Sequence, residues 1–166
     1  GVTFTSTSTG EVTLTGNVAK NSTLTTGSNN DSITLSTTNG STYSSGAGND
    51  TFISAIANLV ATGVDDHSYD GGAGTDTLQV SDASDTTLTD NHFTGASNLE
   101  KLTVKEDGGL LSVTTGGSFN SAFPNGVTLT ATDLLDHATA TITWAGGLYQ
   151  KDQTLNITTS LVGDAA

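Results

Sequence analysis

Bulky apolar residues recur on a steady beat through the first half of the chain: Phe4, Leu14, Leu24, Ile33, Tyr43 and Phe52, at steps of 10, 10, 9, 10 and 9. After a gap of 17, Tyr69 and Leu78 resume it with a step of 9. Neither a helical face nor one long strand has so wide a period, whereas short strands joined by tight turns do. Turn-forming stretches fall between the beats: "TGN" at 15–17, "TNG" at 38–40 and three runs containing Gly and Asp. Such a pattern predicts a β-solenoid, in which each unit buries its apolar side only by stacking on the next.

Past about residue 80 the beat weakens, but "TLQV", "NLEKLTV", "GVTLTAT", "ATITWAG" and "TLNITTSL" still alternate as strands do. "LEKLTVKED" reads as strand because of its β-branched residues. "ISAIANLV" at 53–60 fits a short helix or an irregular rung equally well, and Pro124 in "AFPNG" marks a turn. The expected architecture is all-β, with a solenoid over residues 1–105 and a less regular β-rich region over 106–166 that continues or caps it.

Composition sharpens this picture. Only 33% of the 166 residues are hydrophobic and 5% aromatic, so an ordinary globular core would be thin. Seventeen acids stand against four Lys and no Arg, a net charge of −13. Nucleic acid is a poor partner for such a chain, because phosphate contacts need clustered Lys or Arg. Self-repulsion opposes the compact state until a cation neutralises part of the charge. An acidic, Thr-rich chain can also be disordered, and the regular apolar spacing is the argument against that. No Cys is present, and no apolar run approaches the ~20 residues of a membrane span. With no Met and an opening "GVTFTSTST", the chain is expected to be a processed product or a piece of something longer.

The three Gly/Asp runs align on their acids. Gly27, Gly46 and Gly72 lie four residues before Asp31, Asp50 and Asp76, and Ile33, Phe52 and Leu78 lie two after. If the apolar residue points inward, the acid returns to the rim. Glycines let carbonyl oxygens turn toward a common point, and one carboxylate added to neutral oxygens makes a hard donor set that suits Ca²⁺ better than Mg²⁺. Asp31 to Asp50 spans 19 positions, close to two units, so both belong on one edge of a two-strand circuit. Asp50 to Asp76 spans 26, which places Asp76 on the opposite edge unless residues 53–66 loop out and restore the phase. Rungs ~4.8 Å apart bring carboxylates close enough to repel by roughly 3 kcal/mol at an effective dielectric of 20. A divalent ion between them reverses that sign and couples metal binding to folding.

"GGAGTDTLQ" matches the calcium-binding nonapeptide G-G-x-G-x-D-x-U-x at every specified position from Gly71 to Leu78. "SGAGNDTFI" differs by Ser45 at the first Gly, and "TGSNNDSIT" keeps Gly27, Asp31 and Ile33 but has Asn29 at the fourth position. On these residues the chain resembles RTX proteins. Over roughly residues 26–105, through "LTDNHFTGASNLEKLTV", it looks like a module of secreted bacterial RTX surface proteins, S-layer proteins among them. The resemblance implies a right-handed parallel β-roll holding Ca²⁺ in its turns, type I secretion, and folding outside the cell. It implies as ligands the carboxylates of Asp31, Asp50 and Asp76 and the loop carbonyls of Gly46, Gly48, Asn49, Gly72, Gly74 and Thr75.

Other candidate groups take plainer readings. Asp65, Asp66 and Asp70, ahead of the third motif, read as a solvated acidic loop, with completion of a metal site as the alternative. His67, His92 and His137 have no zinc-like spacing. Trp144 and Tyr149, flanking "AGGL", read as core or strand-pairing residues rather than a sugar platform. No G-x-S-x-G elbow or H-E-x-x-H helix occurs, and although carboxylate pairs are plentiful, a glycosidase needs two held across a substrate cleft and a narrow solenoid offers few clefts, so no enzyme is expected. The expected role is a calcium-dependent building block of an extracellular bacterial surface assembly, an S-layer or filament, with copies of itself as partners. The alternatives are an adhesin or biofilm-matrix segment binding cell-surface polysaccharide, and an accessory calcium-folding domain of a secreted RTX enzyme.

Overall fold

The apolar beat resolves into two columns, because its members fall alternately in two parallel sheets. The computed structural model describes residues 1–38, 40–59, 66–82, 86–106, 110–135, 139–144 and 155–162. In chain order the strands are β1 (Thr3–Thr5), β2 (Thr13–Leu14), β3 (Thr23–Thr25), β4 (Ser32–Thr34), β5 (Thr42–Ser44), β6 (Thr51–Ser54), β7 (Ser68–Asp70), β8 (Thr77–Asp82), β9 (Thr86–Leu88), β10 (Ala96–Ser97), β11 (Lys101–Glu106), β12 (Leu110–Thr115), β13 (Val127–Leu135), β14 (Thr139–Trp144) and β15 (Leu155–Val162). One sheet runs β1-β3-β5-β7-β10, a second β15-β13-β11-β8-β6-β4-β2, and a third β14-β12-β9. The pairings described are parallel throughout.

Phe4, Leu24, Tyr43 and Tyr69 are successive partners in the first sheet. Leu14, Ile33, Phe52, Leu78, Leu102 and Leu129 are successive partners in the second. Each column becomes dry as it moves inward: Phe4 is 37% exposed, while Ile33, Phe52 and Leu78 are fully buried. The driving force is this stacking, since a strand of two or three residues has no independent stability. A fully buried Leu, Ile or Phe contributes roughly 1.5–3 kcal/mol.

The chain returns to the same place after 19 residues from Asp31 to Asp50 and after 26 from Asp50 to Asp76. The longer circuit keeps its phase, since β7 returns to β5 and β8 to β6 in register. The segment after β6 forms a 3-10 helix at Ile56–Asn58, with Leu59 buried beside it, before the chain reaches β7. Of the two placements open for Asp76, the structure therefore takes the one on the same edge as Asp50.

From β8 onward the strands lengthen and the third sheet appears. This part holds a 3-10 helix at Asp90–Phe93 and a helix α1 (Gly117–Ala122). The sequence reading did not expect α1, and its "GSFNSA" carries little helical signal. Its cap comes from a distant residue: the Asp90 carboxylate accepts the Ser118 and Phe119 amides at 3.1 and 2.9 Å. Phe93, Phe119 and Phe123 pack ring against ring at centroid distances of 4.9–5.9 Å. Pro124 follows in a turn, as expected. The strand expected at "LEKLTVKED" is β11, which pairs with β8 on one side and β13 on the other, so the seven-stranded sheet runs on past residue 105. Among the described residues no helix is long and apolar enough to cross a membrane.

Leu78 is completely buried in the second column. Replacing it with Ala should lower unfolding free energy by about 2–5 kcal/mol. Denaturant titration should show an earlier midpoint at an unchanged slope.

Candidate metal centre

Each Gly/Asp run connects a strand of the first sheet to a strand of the second. Residues 26–31 join β3 to β4, 45–50 join β5 to β6, and 71–76 join β7 to β8. Equal loop lengths keep the three in register, and the loops themselves pair through parallel bridges from Ser28 to Ala47 and Ala47 to Ala73. Gly46, Gly48, Gly72 and Gly74 have φ of 93°, 138°, 85° and 146°. Asn29, where the motif has Gly, adopts 121° and so keeps the glycine-like backbone. Packing is as demanding as conformation. A Cβ on Gly72 would lie 2.1 Å from the Gly46 oxygen, and one on Gly74 only 1.6 Å from the Gly48 oxygen.

The acids form one column. The Val12 amide donates to Asp31 Oδ1 (2.7 Å), the Asp31 amide to Asp50 Oδ1 (2.7 Å), and the Asp50 amide to Asp76 Oδ1 (2.8 Å). The Asp76 amide then donates to Glu100 Oε2 (2.8 Å). Each of these residues stands immediately before a strand of the second sheet, and its side chain closes the amide of the circuit before it. A second ladder runs the other way at the neighbouring position: the Asn49 amide donates to Asn30 Oδ1 (2.8 Å) and the Thr75 amide to Asn49 Oδ1 (2.9 Å).

The residues preceding the strands of the first sheet do the same job without charge. There the Val2 amide donates to Ser22 Oγ (2.9 Å), the Ser22 amide to Ser41 Oγ (3.3 Å), and the Ser41 amide to His67 Nδ1 (3.3 Å). His67 is accordingly protonated on Nε2, which faces the Ser36 carbonyl at 2.9 Å. One neutral acceptor therefore suffices to close an amide at this kind of position, and the acidic rim carries charge beyond that need.

That surplus is visible atom by atom. Asp31, Asp50 and Asp76 are all buried, and the Oδ2 of each has no hydrogen-bond partner. A buried unpaired charge is costly, so such a column must either take up protons or hold cations. Burial pushes the Asp76 carboxyl up to about 6, and the charges of Asp50, Glu100 and Asp70 add to the effect. Asp50 is likewise raised, chiefly by burial. Three orphaned carboxylate oxygens on a rim of carbonyl-bearing loops fit a hard cation such as Ca²⁺.

The structure brings the sequence-predicted residues onto one rim, with some in other roles. The Gly46 carbonyl accepts the Ala73 amide at 2.9 Å, and the Gly48 carbonyl packs against Gly74. Asn49 works through its side chain. Gly72, Gly74 and Thr75 complete the third loop. Ser45, the departure from the motif, donates its hydroxyl to the Gly71 carbonyl at 2.7 Å. Asn30 and Glu100 were missed. For Glu100 a signal existed, since "EKLTV" repeats the acid and the two apolar positions of "DTLQV". Among the described residues no three acid or His side chains converge as a metal cluster. His92 accepts the Thr89 amide through Nδ1 at 2.8 Å in a local cap. Asp65, His137 and Tyr149 lie outside the described residues, and Trp144 ends β14. Compared with protein-family models, curated proteins and solved structures, the chain matches none.

A carboxyl whose pKa is raised on folding holds a proton that the unfolded chain has released. Its contribution to stability is present below about pH 4 and lost as pH rises through about 6. In chelator the melting temperature should therefore fall between pH 4 and pH 7. A rise over that window would contradict the column.

Proposed function

We propose that this chain is a calcium-dependent structural segment of a secreted bacterial surface protein of RTX type. Its circuits close into a right-handed parallel β-roll, and the roll serves as a building block of an extracellular assembly such as an S-layer or filament. Ca²⁺ binds along the acidic rim, with Asp31, Asp50 and Asp76 as its carboxylates and the loop carbonyls of Gly46, Gly48, Asn49, Gly72, Gly74 and Thr75 as neutral donors. The observation that carries this reading is the set of buried, partnerless Oδ2 atoms on a rim whose structural job needs no charge.

Export suits such a design. Without the ion the rim repels itself and the net charge of −13 favours an open chain. In calcium-rich surroundings binding supplies the missing stability, roughly 2.7 kcal/mol for a site at a hundredfold excess over its Kd. Assembly is supported by the edge strands β1 and β2, whose unpaired backbone groups and the 56% and 37% exposed Val2 and Phe4 offer surface for a further strand to cover.

Substituting Asp50→Asn and Asp76→Asn together keeps an oxygen for each amide while removing both charges. In chelator this variant should melt no lower than the parent chain, and millimolar calcium should no longer raise its melting temperature. A calcium-induced gain equal to the parent's would remove the ligand assignment. Light scattering of the parent chain should show calcium-dependent growth beyond the monomer, and a monomer at high concentration would remove the assembly role.

A further inference from the structure

We infer that the turn at residues 89–93 is an acid-released latch, in which protonation of His92 frees helix α1 from its seat beside the edge of the five-stranded sheet. The latch stands apart from the acidic rim and goes beyond the calcium reading.

The seat depends on the turn. β10 is the last strand of its sheet, and one circuit further on the chain supplies α1 where a next strand would lie. α1 packs along β10, and the Ala122 carbonyl accepts the Leu99 amide at 3.0 Å. Six residues reading "GSFNSA" do not hold a helix by themselves. The Asp90 carboxylate accepts the Ser118 and Phe119 amides, and Phe93 packs edge-on against Phe119 and Phe123. Gly116 makes room for this contact, because a Cβ there would lie 2.7 Å from Asp90 Cγ. A cleft of about 370 Å³ lined by Asp90, Thr94, Ala96, Ser118 and Ser121 remains between turn, strand and helix.

The turn depends on one nitrogen. Thr89 and His92 form a capping box with His where Glu or Gln is usual. The Thr89 amide donates to His92 Nδ1 at 2.8 Å, and the Thr89 hydroxyl lies 2.9 Å from the same atom. Nδ1 accepts only while it carries no proton. His92 is buried, so a protonated ring loses that bond without gaining full hydration. Burial accordingly pushes the imidazole below its ordinary value of 6.5. The cap is complete at neutral pH and is lost as pH falls through that lowered value. Gln would close the same amide at every pH, whereas His makes the closure conditional.

Among the described residues, α1, β9, β10 and β12 bring no other titratable side chain to the turn. Asp90 is engaged by the α1 amides. His67, beside Thr94 in the register of β10 on β7, binds Ser36 and Ser41. The latch and the rim answer protons with opposite sign, so local exchange reads the latch and melting temperature does not.

Amide hydrogen exchange read by mass spectrometry, corrected for the intrinsic effect of pH, tests this on the full chain in calcium chloride. From pH 7 to pH 4.5 the protection of residues 118–123 should fall at least tenfold while β11 keeps its own. His92→Gln should hold that protection at both pH values. Equal protection of the parent chain at pH 7 and pH 4.5 overturns the latch, and so does a loss of the same size in His92→Gln. Proton NMR of the His92 ring in the parent chain gives a reading free of substitution. Its midpoint should lie below 6.5 and coincide with the loss of protection, and a midpoint at or above 6.5 overturns the inference.

Discussion

From Val12 to Glu100 each circuit brings an acceptor side chain back to the same rim, where that side chain closes the backbone amide of the circuit before it. A strand of two or three residues cannot organise its own flanks, and an unsatisfied buried amide costs about 1–3 kcal/mol. The ladder from Val12 through Asp31, Asp50 and Asp76 to Glu100 is thus a condition for stacking. It accounts for the in-phase return of the 26-residue circuit. A slip of one unit would carry Asp76 to the far rim, leave the Asp50 amide open and face Leu78 away from Phe52.

The two rims meet this condition with different chemistry. Ser22, Ser41 and His67 close their amides as neutral groups and are themselves bonded further. The acids opposite offer two oxygens where one amide arrives. Stacked carboxylates at rung spacing repel by a few kcal/mol per neighbour even in a polarisable interior, so their use in place of serine is a net loss to the metal-free fold. On the proposed reading, a residue type that weakens the fold, repeated in successive circuits and buried each time, answers to a cation bound from outside.

Much of this was legible in the sequence, because periodicity survives translation into stacking. The nine-to-ten-residue beat fixes both apolar columns, and the Gly-to-Asp spacing fixes the loops. The later part was less legible for a physical reason: its local structure is set from a distance. Helix α1 is six residues long and takes its cap from Asp90, 28 positions away. The third sheet pairs segments 25 to 29 positions apart with no turn motif in common. Glu100 was missed because the reading keyed on glycines, and the segment before it has only Gly95. What Glu100 shares with Asp76 is its place two residues before a buried Leu.

The motif departures also take their meaning from neighbours rather than from the motif. Ser45 replaces a glycine yet adds a hydroxyl bond to the next loop. Asn29 replaces another and bears a glycine-like φ, keeping the first loop in register at some conformational cost. The acidic column itself is bounded. Val12 receives Asp31 at one end, and the register of β11 on β13 sets Val127 beside Glu100 at the other. A valine side chain has no oxygen to extend the ladder, and on the Glu100 side the sheet continues through the parallel pairing of β13 and β15. The charged stretch is therefore of finite length, set into a longer sheet, and on the proposed reading its four carboxylates limit how many cations it can hold.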